Sequence, residues 1–146
     1  MSETIDQTLS DVSDSYLAPL YWKAMESQRP DALIKDEKAV ELVTRMSLDF
    51  SWVRQIKMNE LLNTMRIMVT REMDCYARDF LSRHPDGVVV HIVCDLDSRF
   101  ERIAERDSRV EWYDLDLPEV IDLRCKYIGE EEERYHLLAC SVLDNA

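Results

Sequence analysis

The rhythm of apolar positions changes once along the chain, near residue 87, and divides it into a helical part and a sheet-forming part. Between Ser13 and Ser27 the residues Tyr16, Leu17, Leu20, Tyr21, Ala24 and Met25 recur at three- and four-residue steps, which predicts a helix ended by Gln28, Arg29, Pro30 and Asp31. Asp36 is placed to cap a second, short helix whose buried side is Ala39, Val40, Leu42 and Val43, with Asp49 interrupting the pattern. A longer helical region is expected over 51–82, where Met58, Leu61, Leu62, Met65, Val69, Met73, Tyr76 and Phe80 form one stripe facing a core. The methionines of that region, Met58, Met65, Met68 and Met73, read as flexible core filling. Residues 1–12 carry no apolar pattern and predict a disordered tail.

Beyond the turn His84-Pro85-Asp86-Gly87, the unbroken β-branched run Val88 to Cys94 predicts a central parallel strand covered on both faces. Ser98 followed three residues later by Glu101 is a capping box, opening a helix to about Arg106. Arg109 to Leu115 reads as a second strand. Asp116 or Leu117 then opens a helix with Pro118 and Glu119 in its first turn, running to about Tyr127, and Tyr135 to Cys140 gives a third strand. The acidic run Glu130 to Glu133 reads as a solvated loop or helix start. This order defines an α/β fold: N-terminal helices over 13–82, then a partial Rossmann-like parallel sheet over 88–146, all one domain.

Composition narrows the function. At 146 residues, 46% hydrophobic and 33% charged, the chain is long and apolar enough for one packed core. Its 18 basic and 30 acidic residues leave a net charge of −12, which repels phosphate backbones and anionic lipid surfaces, so neither nucleic acid nor membrane is an expected partner. The N-terminus has neither the basic region nor the apolar stretch of a secretory signal, and the cytoplasm is the expected address. Cys75, Cys94, Cys125 and Cys140 form no CxxC pair and read as buried free thiols; His84, His91 and His136 form no ligand spacing, so no metal site is expected. Only two glycines are present, where average usage of about 7% gives about ten.

Open α/β sheets bind ligands beyond the carboxyl ends of their strands, which singles out the loop from Val93 to Ser98. In nucleoside-binding versions an acidic residue after the second strand holds the ribose hydroxyls, and both Asp114 and Asp116 stand there. Spacing alone leaves capping as an equal role for Asp116 and for Asp97.

The run Trp112-Tyr113-Asp114-Leu115-Asp116-Leu117-Pro118-Glu119-Val120-Ile121-Asp122-Leu123-Arg124 resembles the "DLP-x-V-I" segment of the leucine carboxyl methyltransferase family, including its polyketide-synthesis O-methyltransferase group. Three further stretches agree in order and spacing: Arg29-Pro30-Asp31-Ala32-Leu33 with Asp36, Thr70-Arg71 with Asp74, and Leu96-Asp97-Ser98-Arg99 with Arg102. The resemblance covers about residues 12–146. It implies the N-terminal half of a class I methyltransferase that binds S-adenosylmethionine and methylates a carboxylate or hydroxyl oxygen of a small molecule. By the same resemblance, Arg71 pairs with the cofactor's carboxylate, Val93, Cys94, Asp95 and Asp97 line its methionyl part, Asp116 holds the ribose, and Ser141 stands where the family reads the adenine. Arg71 and Arg99 have surface or structural ion pairs as their alternative roles.

Two departures from the family stand out. Where its loop reads G-x-G-x-D-x-R, this chain has Val93-Cys94-Asp95-Leu96-Asp97-Ser98-Arg99, so a β-branched residue and an anion replace the glycines that tolerate positive φ and close ligand approach. Weakened cofactor binding is expected. The family's enzymes are also considerably longer, which suggests a truncated or degenerate copy lacking the rest of the sheet, with Val88 to Cys94 left as an apolar edge. That edge is expected to pair with a second copy or with the missing half. The competing expectation is a non-catalytic, methyltransferase-derived module that assembles through it.

Overall fold

The structure is a computed structural model and describes residues 14–46, 48–55, 60–104, 109–129 and 132–143. The expected tail at 1–12, Met58 and the first half of the Glu130–Glu133 run lie outside the described residues, while Glu132 and Glu133 are exposed. In chain order the elements are α1 (Asp14–Ser27), α2 (Glu37–Met46), α3 (Ser51–Gln55), α4 (Glu60–Arg83), β1 (Val88–Ile92), α5 (Arg99–Ile103), β2 (Glu111–Asp116), α6 (Pro118–Tyr127) and β3 (Tyr135–Ala139). The three strands form a parallel sheet in the order β1-β2-β3, with Val88 opposite Glu111 and Trp112 opposite Tyr135. The α/β class and the partial Rossmann-like arrangement are therefore as the sequence predicts.

Two cores divide the work. The first joins α1, α2 and α3 through Leu17, Leu20, Tyr21, Ala24, Ala39, Leu42, Phe50 and Val53, and reaches the sheet half through Leu96 and Tyr127. Tyr21 stacks on Phe50 at 4.9 Å between ring centroids. The second lies on one face of the sheet, where Trp112, Tyr135, Ile103 and Val110 pack with Ala77, Leu81, Val89 and Phe100. Asp36 caps α2 as expected, its carboxylate accepting the Ala39 amide at 2.9 Å.

Four expectations are corrected. Among the described residues β1 is an edge strand with β2 in the middle, so the central placement read from its β-branched run is corrected while the apolar edge expected of a shortened sheet is what stands. Val88, Val90 and Ile92 are more than half exposed on the face opposite the second core. The apolar stripe of α4 faces outward, with Leu61, Leu62, Met65, Val69, Met73, Tyr76 and Phe80 exposed, while Ile67 and Asp74 are turned inward. Periodicity identifies a stripe but not the side on which neighbours sit; here Asp74 is drawn inward by Arg99 and Arg102. The capping box does not form, because the Ser98 hydroxyl donates instead to the buried Asp36 carboxylate at 2.6 Å, a charge-assisted bond stronger than one to an amide. Of the four cysteines, all free, only Cys94 is buried, and Cys75 and Cys125 are exposed.

Neither glycine stands in the loop after β1. Gly87 serves the turn before it, where a β-carbon would meet the Phe80 ring at 2.8 Å and the His84 carbonyl oxygen at 2.9 Å.

Candidate functional site

The loop after β1 is the centre of the site, and its backbone is unusual. Val93 has φ 54° and Asp95 φ 47°, and these are the two non-glycine residues with positive φ among the described residues. Left-handed backbone costs an L-residue about 1–2 kcal/mol, and more for a β-branched one, so something must hold the loop there. Two groups do. From beneath, the fully buried Arg124 of α6 donates through Nη1 to the carbonyls of Asp95 at 2.7 Å, Asp97 at 2.9 Å and Cys94 at 3.5 Å. From the end of β2, the Asp116 carboxylate accepts the Asp95 amide at 2.9 Å and the Leu117 amide at 2.8 Å.

Arg124 is itself neutralised in the core. Its Nη2 bonds Asp114 Oδ2 and the Tyr135 hydroxyl, and Asp114 also accepts from Tyr135 at 2.7 Å, from the Trp112 indole at 2.8 Å and from His91 Nδ1 at 3.1 Å. Burial works against the charge of Asp114, but the bond from His91, the Arg124 guanidinium and the Tyr135 hydroxyl together hold its carboxyl below the usual range. Asp114 therefore serves the interior and Asp116 the loop.

A second ionic network ties the loop to the helices. Asp97 receives Lys23 of α1 at 2.8 Å, Arg102 at 2.7 Å and Arg99 at 3.3 Å. Arg102 also reaches Asp36 at 2.6 Å and Asp74 at 2.7 Å, and Arg99 reaches Asp74 at 3.0 Å. Residues from three separated stretches, Asp36, Asp74 and the Asp97–Arg102 turn, thus converge on one buried cluster. Burial disfavours the charge on Asp97, yet Lys23 and Arg102 hold its carboxyl far below the ordinary value. The structural role of Arg99 is the one realised.

A cavity of about 560 Å³ opens between α1, α4, β1 and this loop, a size typical of small-molecule sites. Val93, Cys94, Asp95 and Asp97, four of the residues picked out from the sequence, line it. Burial, and then the neighbouring Asp116, push the Asp95 carboxyl up, while burial pushes the Cys94 thiol up to about 12 and leaves it protonated and unreactive. Asp116 and Ser141 stand outside the lining. Ser141 follows Cys140, whose amide donates to the Asp116 carbonyl at 3.0 Å, so it lies beside the end of β2. Arg71 is exposed and also outside the lining, whereas Asn63, Arg66, Thr70 and Met73 of the same helix are part of it. Sequence reasoning missed Asn63, Arg66 and Lys23, and gave Arg124 no role. The signal for Arg124 was present: it shares a helical face with Val120, Ile121 and Tyr127, and a cation on an apolar face requires a buried partner.

A parallel sheet with a cavity at its first strand–loop junction and a carboxylate at the end of its second strand is the architecture of an α/β nucleoside-cofactor protein. Residues 17–140 match the family model described as leucine carboxyl methyltransferase. The chain is 38% identical over 142 residues to the tetracenomycin polyketide synthesis O-methyltransferase TcmP of Streptomyces glaucescens, an alignment covering 97% of this chain and 50% of that protein. It is 25% identical over 147 aligned positions to the S-adenosyl-L-methionine-dependent methyltransferase dpfgK of Gibberella zeae, covering 95% of this chain and 49% of that one. The chain belongs to the leucine carboxyl methyltransferase family. It spans about half the length of the curated relatives it matches.

The cavity's donor set suits S-adenosylmethionine. It offers charged groups of both signs for a zwitterionic amino-acid end, aromatic and aliphatic walls from Tyr16, Trp22, Ile67 and Ile92, and a loop whose turned backbone is held for close approach.

Proposed function

We propose that this chain is the cofactor-binding half of an S-adenosylmethionine-dependent O-methyltransferase acting on a carboxylate or hydroxyl oxygen of a small molecule. The observation that carries this reading is the loop after β1: without either glycine, it keeps left-handed backbone at Val93 and Asp95, the positions where the family's loop has glycine. When bound, the cofactor supplies a methyl group on a sulfonium, and transfer then depends chiefly on holding the acceptor oxygen in line with it. In this reading the residues on the page bind and orient. The loop from Val93 to Asp97 receives the methionyl part, and Asp116 has lone pairs left for ribose hydroxyls after its two amides. Tyr16 and Trp22 on α1 wall the cavity. Four free thiols suit a reducing compartment such as the cytoplasm.

The test is a thermal melt of the full chain against S-adenosylmethionine. A melting temperature that climbs with ligand concentration in the millimolar range is expected. No shift at any concentration overturns the cofactor reading, and a micromolar dissociation constant by calorimetry overturns the expected weakening.

Among the described residues no strand pairs with the outer edge of β1, where Val88, Val90 and Ile92 are exposed, and this supports a companion proposal: that edge takes a further strand, supplied in solution by β1 of a second copy. Sizing chromatography is expected to give a dimer, and Val90→Lys a monomer. A monomeric parent chain at high concentration overturns this proposal.

A further inference from the structure

The cavity holds two polar groups that the rest of the fold does not use. Lys23 and Arg99 also line it, but Asp97 takes both cations and Asp74 takes Arg99 as well. Arg66 is different. Its guanidinium carbon sits 5.3 Å from the centre of the Trp22 ring, and no carboxylate among the described residues lies within ion-pair distance of it. One helical turn earlier, Asn63 lines the same cavity, and its Oδ1 is buried without a hydrogen-bond partner among the described residues. A buried acceptor left unpaired costs about 1–3 kcal/mol unless a ligand satisfies it. Residues three apart on a helix lie on one face, so the free cation and the orphaned acceptor are neighbours.

A lone cation would suit any anion, and a lone acceptor any donor. Side by side on the cavity wall, they match a group carrying a carboxylate and an ammonium on one carbon, the α-amino acid end of a ligand. We propose that Asn63 and Arg66 form the subsite for that end, Arg66 taking the carboxylate and Asn63 Oδ1 the ammonium. The inference rests on the cofactor reading above and gives Arg66 the place that the resemblance gives to Arg71. Trp22 contributes as a positioning residue: its ring face holds the guanidinium through a cation–π contact and restricts the side chain before binding.

Two ligands that differ only at this end test the proposal on the full chain: S-adenosylhomocysteine, and 5′-methylthioadenosine, which keeps the nucleoside and thioether but has no amino acid. By calorimetry or ligand-dependent melting, Arg66→Ala is expected to weaken S-adenosylhomocysteine at least tenfold while leaving 5′-methylthioadenosine within twofold. Arg66→Lys recovers part of the loss, Asn63→Ala weakens S-adenosylhomocysteine alone, and Arg71→Ala changes neither ligand by more than twofold. A selective loss in Arg71→Ala, or an Arg66→Ala effect that is equal on both ligands or absent, overturns the assignment while the cofactor reading stands. A parent chain that binds both ligands equally well overturns the subsite alone; one that binds neither overturns the cofactor reading and the subsite with it.

Discussion

Arg124→Met unfolds the chain at a markedly lower urea concentration, with an expected loss of about 3–5 kcal/mol, the range for removing one partner of a buried ion pair. Methionine fills much of the same volume, so the loss is not one of packing. It has two parts. Asp114, fully buried, keeps its bonds from Trp112, His91 and Tyr135 but loses its countercharge. The carbonyls of Cys94, Asp95 and Asp97 lose the donor that holds them together beneath the loop. A second substitution separates the parts. Asp114→Asn removes the uncompensated charge, so Arg124→Met/Asp114→Asn should recover a share of the stability and leave the loop's share lost. A domain of this kind has about 5–15 kcal/mol in all, so the single variant stands near the limit of folding, and urea midpoints at several temperatures should be compared. If Arg124→Met costs less than about 1 kcal/mol, the guanidinium is not what holds the loop.

Most of the fold was legible because the sequence is locally consistent. Asp36 before α2, Pro118 opening α6 and the β-branched run of β1 each specify their element through a short-range cause, and each stands within a residue or two of its expected place. What failed was long-range. The side of α4 that faces inward is chosen by Asp74 meeting Arg99 and Arg102, residues 25 and 28 positions away along the chain. Ser98 leaves its capping role for a carboxylate 62 positions away. The same holds for the site. The loop could be located from the order of strands alone, and four of its residues do line the cavity. Arg66 and Asn63 could not be found that way, because a surface-patterned helix does not announce which of its polar residues will border a cavity. Arg124 carried a signal, but its meaning depends on Asp114 and on carbonyls that only the folded loop brings under it.

Returning glycine to the loop should strengthen cofactor binding about a hundredfold, and nearly all of the gain is expected at Asp95. The backbone there already has φ 47°, which glycine adopts without cost, and the amide that Asp116 accepts is kept. What Asp95→Gly removes is the carboxylate. At ~5 Å from the ligand's own carboxylate and an effective dielectric of ~20, the repulsion is about 3 kcal/mol, or roughly two orders of magnitude in the dissociation constant. Val93→Gly contributes differently. It relieves about 1–2 kcal/mol of left-handed strain and gives back about 0.5–1 kcal/mol in unfolded-chain entropy. Because Val93 is 60% exposed, little packing is lost, so a small rise in stability with little change in affinity is expected. Asp95→Asn isolates the charge from the backbone. Burial and Asp116 raise the Asp95 carboxyl above its unfolded value, so the folded chain holds that proton more tightly than the unfolded one. The stability linked to it is complete below the unfolded pKa of about 3.9 and is lost as the pH rises through the folded value. Asp95→Asn should accordingly be more stable than the parent at neutral pH and lose that advantage as the pH falls through the raised folded value, with none left below about 4. Calorimetric titration of S-adenosylmethionine into the four chains, with urea melts at both pH values, measures all of this. Equal affinities for the parent and Asp95→Gly would mean that the carboxylate lies away from the bound cofactor, or that the ligand's ammonium cancels its effect.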